Sequence, residues 1–244
     1  MSAGRLVADW RDAGNYAWLA GCGRAAFAWE WLRRRSDYAR GGQAVAARFG
    51  LHRWEDANDD ARVARPLWRA DADPFVLTAT VEPCAEGAGN FDLACMREPA
   101  CSIAGDCAEH WLFGCAAKPL RLDIAAGTLR HGPVALAVHL AQLAPPALAA
   151  LDRLLALVRA GEWRRGHFPA ERRARRWALV LRVHDALADG ARQRDIADCL
   201  FGTAGIAHWR VEAASWRRRT QRLVEGARCA AAAEPAAWLD RTFP

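Results

Sequence analysis

Apolar residues recur at helical spacing through most of this chain and at strand spacing only in its middle. Residues 24–35, RAAFAWEWLRRR, put Phe27, Trp31 and Leu32 on one stripe of an amphipathic helix. Arg33, Arg34 and Arg35 then fall in its last turn, where cations suit the helix dipole. Ser36 can cap a second helix over 37–49, weakened in its middle by Gly41 and Gly42. Residues 51–75 are crowded with carboxylates and read as a surface loop with one short helix. Residues 75–81, FVLTATV, are β-branched and read as a strand. The Gly- and Asn-containing residues 83–99 read as loop. Strands follow at 109–116 and at 120–124, where LRLDI alternates apolar and polar positions. A tight turn over 126–128 leads to a third strand at 128–131, and an apolar segment covers 133–143.

From Pro145 onward the pattern is helical, punctuated by Gly and Pro. Helices are predicted over 146–160 (closed by Gly161), 169–188 (closed by Gly190), 193–201 (closed by Gly202) and 215–229. Two or more strands inside 168–228 would contradict this reading. The fold class that follows is mainly α with a small antiparallel β-sheet (α+β), ending in a helical helix-turn-helix variant. Three segments are expected: a mostly helical regulator domain at 1–83, a loop or linker at 84–107, and a C-terminal domain at 108–244 that carries the sheet and then the helix-turn-helix variant. No internal repeat is present.

The arginines change the picture from fold to function. In residues 192–229, a short apolar helix with Ile196, Ala197, Leu200 and Phe201 is followed by a helix whose Trp216, Leu223, Val224 and Ala227 can face a core. Arg217, Arg218, Arg219 and Arg222 spread over its remaining faces. That order suits a helix-turn-helix reader of duplex DNA, in which one helix packs across and the next enters the major groove. The gap between the two helices, residues 202–215, is fourteen residues, where the usual turn has about three or four. A further short helix near 206–213 could fill part of it. The shorter helix would then be the reader, with the arginine helix as a support against the phosphate backbone. The 169–188 helix carries Arg172, Arg173, Arg175 and Arg176 near its start, where cations oppose the dipole. A phosphate backbone is one explanation for them. The candidate DNA contacts are therefore Arg172, Arg173, Arg176, Arg192, Arg194, Arg217, Arg218, Arg219 and Arg222. An ordinary solvated face is the alternative for all of them. For the aromatic cluster at 24–35 the plain reading is core, and the sharper one makes Trp29 and Arg33 to Arg35 part of a partner or nucleic-acid surface.

Charge is distributed unevenly. Residues 159–222 hold fifteen Arg against seven Asp and Glu, a net +8 within a chain of net +6, so the remainder carries −2. Such a basic segment fits a polyanion, or equally an acidic protein. The 244 residues, 52% hydrophobic and 25% charged, suffice for one large domain or two small ones. No run of eighteen apolar residues is present, so no membrane span is expected, and the start MSAGRLVADWRD lacks a signal-peptide core. A cytoplasmic location follows as the expectation. Cys95, Cys101 and Cys107 recur every six residues, which is not zinc-ligand spacing, and the histidines, His110, His131, His139, His167, His184 and His208 among them, are scattered. No GxSxG, P-loop, HExxH or GxGxxG occurs, and His184, Asp185 and Asp195 read as helix-surface residues rather than an acid–base set. The expectation is a protein with no enzymatic step, no cofactor and no metal.

Two runs carry a family resemblance. LRVHDALADGARQRDIADCLFG, with Trp209 and WRRRTQRLVEGAR after it, resembles the C-terminal domain of bacterial transcriptional activators of integrative and conjugative elements. FAWEWLRRRSDY resembles their N-terminal companion domain, in the same order along the chain. Together the quoted runs make up about a fifth of the chain. The resemblance implies a sequence-specific DNA-binding regulator, an activator of element excision and transfer, without catalysis. It implies promoter or operator DNA as partner and admits an antiactivator protein, RNA polymerase or a second copy of the chain. Short relatives carrying only the C-terminal domain act as antiactivators, and the rival reading is such a protein-binding module that no longer reads DNA. The ending AAAAEPAAWL departs from the family's Gly-Tyr-Leu-Leu type, so the last helix lies outside what the resemblance implies.

Overall fold

The computed structural model describes residues 8–83, 91–105, 108–140, 144–203 and 214–240. The helix expected near 206–213 lies outside them. Within them the fold is α+β. Helices are α1 (Gly14–Ala17), α2 (Arg24–Leu32), α3 (Ser36–Ala39), α4 (Gln43–Ala46), α5 (Pro145–Ala160), α6 (Ala174–Ala188), α7 (Gln193–Phe201), α8 (Ala214–Ala232) and α9 (Pro235–Leu239). Strands are β1 (Val76–Pro83), β2 (Ala100–Ala104), β3 (Glu109–Cys115), β4 (Lys118–Ala126) and β5 (Val134–His139).

The contacts divide the chain into two discontinuous units: residues 1–22 with 170–233, and residues 23–169 with 234–244. The boundaries expected at 83/84 and 107/108 both fall inside the second, because β1 lies on one side of them and its partners on the other.

The sheet-bearing unit is built on a five-stranded sheet of order β2-β3-β4-β1-β5. It is mixed rather than antiparallel: β1 runs parallel to β4, while the other pairs are antiparallel. Alternation along one strand fixes which residues share a face but not which strand lies alongside. One face, with Leu77, Phe113, Leu120, Leu122 and Ile124, buries Ala150, Leu154 and Leu157 of α5. Pro145 opens α5 and Gly161, at φ 69°, closes it. On the other face Arg121 Nη1 donates to Asp73 Oδ2 at 2.6 Å, both side chains almost fully buried. That pair fixes the 51–75 segment over the sheet, with Ala116 N and Ala117 N donating to Ala64 O and Ala61 O. Those residues are therefore not a surface loop: Leu51, Ala61, Leu67 and Trp68 are core.

Two expected strands change. Residues 128–131 form a turn, because Glu109 at the start of β3 gathers their donors: Thr128 Oγ1 at 2.7 Å, Leu129 N at 3.2 Å and Arg130 Nε at 3.2 Å. Residues 100–104, read as linker, form edge strand β2, whose ACSIA sequence gives little strand signal.

Helix α2 is buried all round, from Ala26 to Leu32. Glu30, 1% exposed, makes this feasible. Its Oε2 accepts from Arg33 Nε at 2.8 Å and Arg34 Nη1 at 2.5 Å, and its Oε1 accepts from Ala61 N at 2.9 Å. Neutralised in this way, Arg33 and Arg34 are buried, and Trp29 donates to Asp59 O at 2.9 Å. The partner-surface reading of Trp29, Arg33 and Arg34 is overturned, and Arg35 lies over the Phe49 ring. The helix expected at 37–49 breaks at Gly42 (φ 60°) into α3 and α4. Trp238 of α9 stacks near both Phe27 and Trp31, at ring-centroid distances of 6.3 and 5.8 Å.

In the helical unit, α6 carries residues 8–22 on one side. Tyr16 OH donates to Asp185 Oδ2 at 2.7 Å, Trp10 Nε1 to Asp189 Oδ2 at 2.9 Å, and Arg182 Nε to Trp10 O at 2.6 Å. Helix α8 packs on both α6 and α7. No strand occurs from Pro145 to Leu239 among the described residues, as the Gly and Pro punctuation predicts.

Two stability outcomes follow. Trp31→Ala, which removes a side chain only 4% exposed, is expected to cost about 3–5 kcal/mol. An unchanged denaturation midpoint would contradict its place in the core. Tyr16→Phe, which deletes a buried hydrogen bond to a carboxylate, is expected to cost about 1–3 kcal/mol and to speed amide exchange in α1. Exchange unchanged there would show that the bond does not hold residues 8–22 in place.

Candidate nucleic-acid interface

Helix α6 begins at Ala174, five residues later than the sequence pattern suggests, since Pro169 and the turn Ala174 N to Glu171 O precede it. Arg172 therefore precedes the helix and Arg173 is its N-cap residue, whereas Arg175 and Arg176 lie in the first turn. All four are exposed.

Helix α8 buries Thr220, Leu223, Val224, Ala227 and Ala230. At about 100° per residue, Arg219, Arg222 and Arg218 follow one another round one flank from that buried face, and Arg217 lies on the other flank. Arg217, Arg218, Arg219 and Arg222 are all exposed.

These two helices meet in a groove of about 490 Å³ lined by Arg175, Arg176, Leu179, Arg219, Arg222 and Leu223. Further along, Val180 of α6 faces Gly226 of α8, and His184, Leu187 and Ala188 face Arg228, Ala231 and Ala232. Residue numbers rise together on both helices, so α6 and α8 lie side by side in the same direction. The positive N-terminal end of α6 then lies at the arginine groove. Among the described residues, no carboxylate lies within ion-pair distance of Arg175, Arg176, Arg219 or Arg222. The Arg219 guanidinium sits 4.5 Å over Phe201 and 5.7 Å from Trp216, rings that stack at 5.0 Å. That stack ties the end of α7 to α8 and orients one cation of the groove.

The α7 arginines are placed differently. Arg192 Nε lies 3.1 Å from Asp195 Oδ2, and its backbone N donates to the same oxygen at 3.0 Å. The Arg192 side-chain hydrogen bond holds the Asp195 carboxyl below its ordinary pKa. Arg194 lies 3.9 Å from Asp198. Of the nine arginines singled out in the sequence, the structure thus brings Arg176, Arg219 and Arg222 to one groove, joined by Arg175. It leaves Arg172 and Arg173 just before α6, Arg217 and Arg218 on the outer arc of α8, and pairs Arg192 and Arg194 with carboxylates. The connection of a length typical for helix-turn-helix units is not the 202–215 gap but residues 189–192, between α6 and α7, with Gly190 at φ 79°.

Comparison with known families gives two matches. Residues 138–233 are similar to a family described as "T6SS, Transcription factor, DNA binding domain". Residues 9–69 are similar to one described as "Proteobacterial transcriptional regulator-like domain". The two matches indicate a DNA-binding transcriptional regulator. The first covers α6, α7, α8 and the arginine groove. No curated protein matches the chain. No helix among the described residues is long and apolar enough to cross a membrane.

Proposed function

We propose that the chain is a sequence-specific transcriptional activator of a mobile genetic element, without an enzymatic step, and that it holds duplex DNA against the α6–α8 groove. The observation that carries the reading is the set of four exposed guanidinium groups, Arg175, Arg176, Arg219 and Arg222, gathered from two parallel helices with no carboxylate within ion-pair distance among the described residues. Placing Arg175 and Arg176 in the first turn of α6 works against helix stability. An anion in the groove offsets that cost, since both the guanidinium groups and the N-terminal end of α6 favour it. Phosphates of a DNA strand supply such anions at regular spacing.

In this arrangement the groove arginines neutralise phosphates and set the protein's register on the duplex. Arg217 and Arg218, in the first turns of α8 and outside the groove, reach base edges, and Arg172 and Arg173 flank the phosphate track. Arg192 and Arg194 contribute less, because their charge is already compensated by Asp195 and Asp198. The activator role and the mobile-element setting rest on the resemblance of the two sequence runs to activators of integrative and conjugative elements.

Binding of the purified chain to duplexes selected from a random pool tests this. Arg176→Ala and Arg222→Ala should each weaken all duplexes alike and lower the log–log salt slope by about 0.9. Arg218→Ala should relax preference at one base position by about 1–3 kcal/mol. Arg194→Ala should leave the salt slope nearly unchanged. Selection of no duplex, or groove variants that bind as the parent does, would overturn the reading in favour of a protein-binding antiactivator.

A further inference from the structure

In the sheet-bearing unit, well apart in sequence from the arginines of α6, α7 and α8, the fold assembles a second polar cluster. His110 on β3 and Asp123 on β4 are Cα partners across the antiparallel ladder, so their side chains leave the same face of the sheet. His110 Nδ1 lies 2.8 Å from Asp123 Oδ1. His52 arrives from the segment after α4, its backbone fixed at both ends: its N donates to Leu67 O at 2.8 Å, and its O accepts from Gln43 Nε2 at 3.0 Å. Its ring stacks on His110 with centroids 3.5 Å apart and planes 21° from parallel. One donor atom from each of His52, His110 and Asp123 lies within 4.8 Å of the other two.

We propose that His52, His110 and Asp123 form a binding site for a divalent transition-metal ion of the zinc type. Two imidazoles and one carboxylate are a donor set that zinc accepts, with water completing four-coordination. The His110 and Asp123 side chains are 15% and 18% exposed, so an ion can reach them from solvent. A second, independent observation points to a ligand. His52 Nε2 is a buried nitrogen with no hydrogen-bond partner among the described residues, an arrangement that proteins rarely keep without something to satisfy it. The nearby cation Arg69 is compensated by Asp71 at 2.9 Å.

Binding needs a small rearrangement. Donors around a tetrahedral zinc sit about 3.3 Å apart, given metal–ligand bonds of about 2.0–2.2 Å. The ion takes the place of the proton between His110 Nδ1 and Asp123 Oδ1, and that pair opens by about half an ångström to reach the same spacing. Stacked rings hold their nitrogen lone pairs side by side, so the His52 ring turns out of the stack to meet the ion. Sequence spacing could not show this site, because His52 and His110 are 58 positions apart.

The test uses the full chain, stripped with a chelator and loaded with zinc alone. Competition against a chromophoric chelator should show one equivalent bound. X-ray absorption of the zinc-loaded parent should show two imidazoles, oxygen or nitrogen in the remaining positions, and no sulfur. His110→Gln and Asp123→Asn, with unfolding midpoints near the parent's, should each weaken zinc binding by more than about 100-fold, beyond the loss that outer-shell changes cause. The proposal is overturned if the parent holds no zinc against the chelator, if sulfur appears in the coordination shell, or if both variants bind as the parent does. The absorption measurement needs no variant, so a substitution that fails to fold does not protect the proposal.

Discussion

The buried hydrogen bond from Tyr16 to Asp185 is the fastening on which the helical unit depends. It joins positions 169 residues apart and, with Trp10 to Asp189 and Arg182 to Trp10 O, holds residues 8–22 against one side of α6. The other side of α6 is the wall on which α8 lies. A polar group buried at such a contact costs heavily if its partner is lost, so this side of α6 admits few alternative arrangements. The direction in which α6 presents Arg175 and Arg176 is thereby set by a segment near the start of the chain. The match of residues 9–69 and that of residues 138–233 to regulator families describe, in part, two pieces of one helical unit.

The same principle runs through both units with opposite outcomes. In the sheet-bearing unit buried charge is paired, Glu30 with Arg33 and Arg34, and Asp73 with Arg121, while buried Arg182 of the helical unit donates to backbone carbonyls. Where charge serves the surface of α7, it is paired as well, Arg192 with Asp195 and Arg194 with Asp198. The α6–α8 groove differs: it gathers four exposed cations, two of them in the first turn of α6, with no carboxylate among them in the described residues. An arrangement that works against the free protein's stability calls for an anion that relieves it, and this is the physical case for phosphate there.

Much of this was legible in the sequence. The Gly161 and Gly202 stops placed the ends of α5 and α7, the LRLDI alternation placed β4, and the charge imbalance of residues 159–222 pointed to the helices that carry the groove. What was not legible depends on contacts distant in sequence. Nothing local in residues 8–22 says that they pack on α6. A helical wheel counts Arg33 and Arg34 as surface, and only the buried Glu30 beside them makes the interior tolerable. Strand β1 cannot announce that it will lie parallel to β4. The arginines of α6 and α8 are visible one by one, but their meeting in one groove requires the two helices to run in the same direction, which periodicity does not contain. Sequence reasoning therefore weighed Arg192 and Arg194 equally with Arg176 and Arg222, and passed over Arg175 as a contact.

The central claim is that duplex DNA lies along the α6–α8 groove. Arginine footprinting tests it most directly: the protein is treated with phenylglyoxal, free and bound to a selected duplex, and the modified residues are mapped by mass spectrometry. DNA is predicted to protect Arg175, Arg176, Arg219 and Arg222 while Arg192 and Arg194 stay reactive. Protection of Arg192 and Arg194 with the four groove arginines still reactive would contradict the account and place the duplex on α7 instead.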